Sequence, residues 1–217
     1  MNKIIFDMDG VIFDSERIVH EEWLKIAEKY GLENFDEVYY KCIGANAIAV
    51  EKLFKDYYGD NFPYHEYHRE RSENYHRKYD GGKLPLKPGV RELLGYLKAE
   101  GWYITLASST RSEVVIKQLK DANLYCYFNK VVCGDMVTRS KPFPDIFIEA
   151  VKDVYSSGDE VFVIEDSYNG IRAAKNGNFT AIMVPDLLPP NEEMEKLADY
   201  IFNDLIEVKN FLMSKNN

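Results

Sequence analysis

Asp7 and Asp9 are separated by Met8, followed by Gly10, and directly preceded by Lys3-Ile4-Ile5-Phe6. That run is short, apolar and β-branched, so it predicts a buried strand, and alternation along an extended segment aims both carboxylates to one side. At an effective dielectric near 20, two carboxylates about 4 Å apart repel by roughly 4 kcal/mol, which calls for a cation or a shared proton. The pair therefore suggests a metal or acid/base site, with a solvated turn as the alternative. A calcium loop is excluded: Val11 stands where a further ligand is needed and Ile12 where the glycine belongs.

Three further groups follow later strand-like runs. Ser108, with Ser109 and Thr110 beside it, comes after Ile104-Thr105-Leu106-Ala107 and offers hydroxyls and amides to an anionic oxygen, unless the cluster only caps a helix. Lys141 sits on a loop stiffened by Pro142 and Pro144, although a surface lysine is the default. Glu165 and Asp166 end the all-apolar Val161-Phe162-Val163-Ile164 and suit magnesium as hard oxygen ligands. Ionised together with a phosphate dianion, the four acids would total about −6, which Mg²⁺ and Lys141 only halve, so one acid is expected to carry a proton. Asp9 fits that role. The expected reaction is attack of Asp7 on phosphorus, with Asp9 protonating the leaving alcohol and later deprotonating the water that hydrolyses the aspartyl phosphate. Mg²⁺, Lys141 and Ser108 would stabilise the transferring phosphoryl group.

The elements that must hold these groups are readable in outline. After the first strand, residues 15 to 83 carry helical or turn-like patterns and nine of the sixteen tyrosines. Asp80-Gly81-Gly82-Lys83-Leu84-Pro85 then punctuates the chain, and strands alternate with helices to about Val184. The prediction is an α/β protein: a Rossmann-like parallel sheet core of residues 1–14 and 84–217, with an inserted all-α helical domain of residues 15–83. The isolated first strand is expected at the centre of the sheet, where its ladder finds partners on both sides.

Composition limits the partners. A formal charge of −9 argues against a nucleic-acid binder. Three cysteines without a C-x-x-C pair predict reduced thiols, with neither disulfides nor zinc. Acids at positions 7, 9 and 14 spoil a signal region, and no run is long enough to cross a bilayer, so a cytoplasmic monomer is expected. The last four residues predict a short frayed tail.

The ordered set Asp7-Met8-Asp9-Gly10-Val11, Ser108, Lys141 and Glu165-Asp166 resembles the haloacid dehalogenase (HAD) superfamily. Phe13-Asp14-Ser15-Glu16, Ser140-Lys141-Pro142 and Ile164-Glu165-Asp166-Ser167 resemble its β-phosphoglucomutase-like branch with a helical cap. The resemblance implies magnesium dependence, Asp7 as nucleophile and metal ligand, and a place for the Asp9 backbone carbonyl on the metal beside Glu165 and Asp166. Ser108, Ser109 and Lys141 are the implied phosphate site. The second acid at Asp9 sets the chain apart from the dehalogenases, so carbon–halogen cleavage is not expected.

In the cap the match weakens. Val19 stands where the mutases have a histidine, and His20, one residue out of register, is expected to be an ordinary surface or interface histidine. Ala47 stands where they have an arginine, leaving Asn46 and Arg71, with Thr110 in the core, as substrate-binding candidates. Loss of a bidentate phosphate clamp disfavours a phosphomutase, which must bind two phosphates. A phosphatase for a small phosphorylated metabolite is therefore expected, with the mutase as one alternative and a non-catalytic phosphate-sensing module as another. Most cap tyrosines are expected to be packing residues, and His65, His68 and His76 a solvated face.

Overall fold

The computed structural model describes residues 1–43 and 47–215. It divides into two compact units, Met1–Ser15 with Gly81–Asn217, and Glu16–Asp80. Residues 81–83, grouped with the cap on sequence, fall with the first unit, where Gly82 lies against the backbone carbonyl of Asp121.

The first unit is built on six parallel strands: β1 (Lys3–Phe6), β2 (Tyr103–Ser108), β3 (Lys130–Cys133), β4 (Val161–Glu165), β5 (Thr180–Met183) and β6 (Tyr200–Ile201). Their order is β3-β2-β1-β4-β5-β6. The first strand is therefore central, as its need for two ladder partners requires, with Phe6 opposite Leu106 on one side and Ile164 on the other. The chain steps outward from β1 to β3 and then returns to the far side of β1. The strand order thus reverses between β1 and β4, and open parallel sheets form their binding crevice at the carboxyl ends of strands flanking such a reversal. Asp7 follows β1 and Asp166 follows β4.

Alternation sorts the strand residues onto two faces. Ile5, Ala107, Val132, Val163, Ala181 and Met183 pack with Ile146, Phe147, Ala150 and Val151 of helix α7 (Asp145–Val151) and with Ile171, Ala173 and Ala174 of α8 (Tyr168–Asn176). Their neighbours Ile4, Phe6, Ile104, Leu106 and Ile164 are equally buried. On that side α5 (Val90–Ala99) packs on β2 and against α10 (Leu205–Lys215), whose Lys215 lies over the Phe162 ring. The remaining helices of the unit are α6 (Ser112–Asp121), beside β3, and α9 (Glu192–Leu197), beside α8. Burying each large aliphatic or aromatic side chain contributes about 1.5–3 kcal/mol, so the doubly covered sheet is a rigid base for the groups at its edge.

The second unit contains most of α1 (Ser15–Tyr30), then α2 (Phe35–Cys42), α3 (Ala47–Tyr58) and α4 (Tyr64–Tyr79). Its interior is aromatic: Trp23 stands 5.3 Å from Phe54 and 6.1 Å from Tyr64, ring centre to ring centre. Tyr39, Tyr64 and Tyr75 are buried, whereas Tyr40 and Tyr57 are exposed. Of the surface or interface histidine expected at His20, the structure shows the interface kind, packed between α1 and α2. It is buried against Tyr39, at 4.6 Å, and its Nε2 pairs with Asp36 Oδ1 at 2.7 Å. The carboxylate supplies the partner a buried imidazole needs. His65, His68 and His76 are exposed, as expected, although the His68 ring packs on Trp23 and Tyr64 and this partial burial lowers its pKa.

Candidate active site

A surface lysine is the default for Lys141, yet the structure buries its side chain. Its side chain is 8% exposed, and Nζ donates to Asp7 Oδ1 and Glu165 Oε1 at 2.5 Å each, and to the Ala107 carbonyl at 3.4 Å. It lies 5.1 Å from the centre of the Phe147 ring, which covers its apolar side. One ammonium thus joins the ends of β1, β2 and β4. Burial alone would lower the Lys141 pKa, but the charges of Asp7 and Glu165 and the bonds they accept outweigh it, and the net shift is upward. Asp7 is displaced well above the ordinary carboxylate value by burial, opposed by Lys141 and reinforced by the charges of Glu165 and Asp9.

Glu165 accepts four hydrogen bonds. Oε1 accepts from Lys141, while Oε2 accepts from the backbone N–H groups of Asp166 and Ser167 at 3.1 Å and from Ser167 Oγ at 3.0 Å. Ser167 also caps α8, its oxygen accepting from the Gly170 N–H. A Cβ at Gly170 would lie 1.9 Å from Glu165 Cδ, so glycine in the first turn of α8 leaves the carboxylate its room. Gly10 does the same for Asp166: it holds φ +79°, and a Cβ there would lie 2.3 Å from Asp166 Oδ2.

Asp9 is held differently. After β1 the chain closes a tight turn in which Ile12 and Phe13 N–H groups donate to the Met8 carbonyl, and Phe13 then bridges to Leu86. The turn sets Asp9 between two hydroxyls: Ser15 Oγ donates to Oδ1 at 2.8 Å and Thr110 Oγ1 to Oδ2 at 2.9 Å. Thr110, expected at the substrate, thus turns its hydroxyl to Asp9. Ser108 is fully buried at the end of β2 and its Oγ accepts from the Thr110 N–H. The Ser108–Thr110 cluster does not cap α6, whose first turn is instead tied through Ser112 to Asp135. Ser109 is exposed.

Asp7, Glu165 and Asp166 each place an oxygen within 4.8 Å of the others. Asp7 and Glu165 share one lysine and Asp166 lies beside them, so an all-oxygen donor set with an excess of negative charge fits a hard divalent cation. Glu165 fits least well as a ligand, since both its oxygens already accept hydrogen bonds. The structure therefore brings together Asp7, Asp9, Ser108, Thr110, Lys141, Glu165 and Asp166. Arg71 belongs to the second unit, where its guanidinium lies 5.7 Å from the Trp23 ring centre, Nη2 is 3.0 Å from His68 Nε2, and Nε is buried with no hydrogen-bond partner among the described residues. Asn46 lies outside the described residues. Ser15 and Ser167 were not among the expected site residues. Their only sequence signal is a serine at the start of each helix, which ordinarily indicates capping.

The chain is similar to known proteins over most of its length. A family described as haloacid dehalogenase-like hydrolase matches residues 4–184. A phosphorylated carbohydrates phosphatase of Thermotoga maritima is 31% identical over 188 residues, covering 84% of each chain. A (DL)-glycerol-3-phosphatase of Arabidopsis thaliana is 31% identical over 219 residues, covering 95% of this chain and 71% of its own. The solved structure of a Thermotoga maritima protein, provisionally named a β-phosphoglucomutase, superposes with a TM-score of 0.79 at 27% identity and covers 99% of both chains. On the family match and the two 31% relatives, the chain belongs to the haloacid dehalogenase-like hydrolases.

Proposed function

We propose that this protein is a Mg²⁺-dependent phosphatase that hydrolyses a small phosphorylated metabolite, a sugar phosphate or similar, through an aspartyl phosphate on Asp7. The observation that carries the reading is the Lys141 ammonium bound to both Asp7 and Glu165 where the strand order reverses. The two phosphatase relatives support the substrate class.

Lys141 fixes one oxygen of Asp7, so the carboxylate meets the phosphorus in a set orientation. Asp7 forms the new O–P bond as the bond to the leaving alcohol breaks, and Asp9 gives that alcohol its proton. Asp9 then takes a proton from the water that attacks the phosphoryl group and frees Asp7. Ser108, Ser109 and Lys141 are the proposed anchors of the phosphoryl oxygens. Asp7, Asp166 and the Asp9 backbone carbonyl would hold Mg²⁺, which when bound neutralises charge on the transferring group. We assign Glu165 to holding Lys141. In the cap, Arg71 is the proposed contact to the distal part of the substrate. Free thiols at Cys42, Cys126 and Cys133 support a reducing compartment such as the cytoplasm. Among the described residues no helix is long and apolar enough to cross a membrane.

Phosphate release from a panel of phosphorylated metabolites with Mg²⁺ tests the reading, with Asp7→Asn as control. Full activity of Asp7→Asn would remove the proposed nucleophile. The structural likeness to a protein provisionally named a mutase keeps isomerisation as the second reading. Bisphosphate-primed conversion of a hexose 1-phosphate without net phosphate release would establish it instead.

A further inference from the structure

Thr110 is anchored more firmly than a substrate contact needs to be. Its N–H donates to Ser108 Oγ and its carbonyl accepts from the Gly134 N–H, each at 3.1 Å, so the turn after β2 is tied to the end of β3. From that fixed position its hydroxyl reaches a carboxylate 101 residues away in sequence, Asp9 Oδ2 at 2.9 Å. Serine and threonine in turns commonly spend their hydroxyls on nearby backbone groups. Here the hydroxyl crosses to another loop and meets the group that must transfer a proton twice. With Ser15 on Oδ1, it leaves the Asp9 carboxylate little freedom to rotate.

We propose that Thr110 is a positioning residue for Asp9, setting the direction from which Asp9 delivers its proton to the leaving oxygen. The inference rests on the phosphatase reading. Thr110 exchanges no proton itself: the Asp9 proton passes to the leaving oxygen as the phosphorus–oxygen bond breaks, and Asp9 regains one from the attacking water. The same turn presents Ser108, so phosphate anchoring and acid placement are mechanically joined.

Leaving-group dependence separates this role from a general structural one. An alkyl alcohol needs the proton to depart, whereas 4-nitrophenolate departs without it. Thr110→Val keeps the shape and removes the hydroxyl. It should lower kcat/KM for the best alkyl phosphate of the release panel about tenfold, and for 4-nitrophenyl phosphate by less than about twofold. Thr110→Ser, which retains the hydroxyl, should recover most of the loss. If Thr110→Val proves unfolded by thermal denaturation, Thr110→Ala gives the same comparison. Equal losses on both substrates, or no loss on the alkyl phosphate, would overturn the proposal. Failure of the wild-type protein to hydrolyse either compound would overturn the phosphatase reading itself, and this inference with it.

Discussion

Glu165 and Lys141 form an ion pair in which the carboxylate is fully buried and the ammonium nearly so. With Ser167 and two backbone amides on its other oxygen, Glu165 has all its strong contacts inside the protein. On the proposed function it is therefore a support for Lys141, with Asp7 and Asp166 as the proposed metal ligands. Glu165→Gln should therefore reduce kcat by about 10–100-fold, the usual effect of disturbing a partner one step removed from the reacting groups. The Mg²⁺ concentration for half-maximal activation should move far less than kcat, at most about tenfold, the low end for an outer partner, because no direct ligand is lost. A large rightward shift in a magnesium titration would return Glu165 to the metal.

Lys141 itself should matter for folding as well as for chemistry. Lys141→Met preserves length and apolar contact with Phe147 but leaves Asp7 and Glu165 buried without their cation. Removing one partner of such a buried pair typically costs about 3–5 kcal/mol, against about 0–1 kcal/mol for an exposed lysine. Urea unfolding of the metal-free protein measures the difference, and a change below about 1 kcal/mol would place Lys141 among the exposed lysines after all.

The strands were legible because each is a dense apolar or β-branched run bounded by turn residues, and the central place of β1 followed from its need for two partners. Two-residue β6 carries too little pattern to stand out. In the candidate site, strand-end position pointed to Asp7, Asp9, Ser108 and Asp166, and the proline-stiffened loop to Lys141, residues that the structure brings together. What sequence could not supply was the sharing of partners. Which of two adjacent acids takes the lysine depends on how Ser167 and Gly170 shape the start of α8. In the cap, helical spacing placed His20 on α1, but its burial depends on Asp36 and Tyr39 from the next helix, a tertiary contact that one helix's pattern does not encode.

The two glycines beside the acids give a steric prediction with an internal control. At Gly170 an added methyl would collide with a Glu165 carboxylate that four donors hold in place, and at Gly10 it would meet Asp166 while also straining φ +79°. Gly95 lies within α5, and a methyl added there would meet nothing within 4 Å. Gly170→Ala should cost about 1–3 kcal/mol through overpacking, and its kcat should fall with it. Gly95→Ala should instead gain about 0.5–1 kcal/mol with kcat unchanged, because alanine is the better helix residue. Thermal unfolding and steady-state kinetics on the two variants check the contrast. Loss of stability at Gly95→Ala, or tolerance at Gly170→Ala, would count against the packing described.

The cap carries its own acid-sensitive joint. Glu22 is fully buried on α1 and accepts from Lys25 Nζ at 2.5 Å and from Lys78 Nζ of α4 at 2.8 and 3.2 Å. Burial alone would raise its pKa, but the hydrogen bonds and charges of the two lysines outweigh it, and the carboxyl lies below its ordinary value of 4.5. A carboxyl lowered in the folded state stabilises the fold fully above its unfolded value, and that contribution is lost as pH falls through the folded value. The joint should therefore hold at neutral pH and weaken below about 4.5, where the unfolded chain takes up the proton first. Glu22→Gln should cost about 1–3 kcal/mol at pH 7, because it removes a charged acceptor from two lysines. The gap between wild type and Glu22→Gln should narrow steadily as the pH is lowered. Urea unfolding followed by Trp23 fluorescence in a Trp102→Phe background reads the cap directly, since Trp23 is then the one indole left and lies in the cap interior. A gap independent of pH down to about 3 would show that the Glu22 charge does not join α1 to α4.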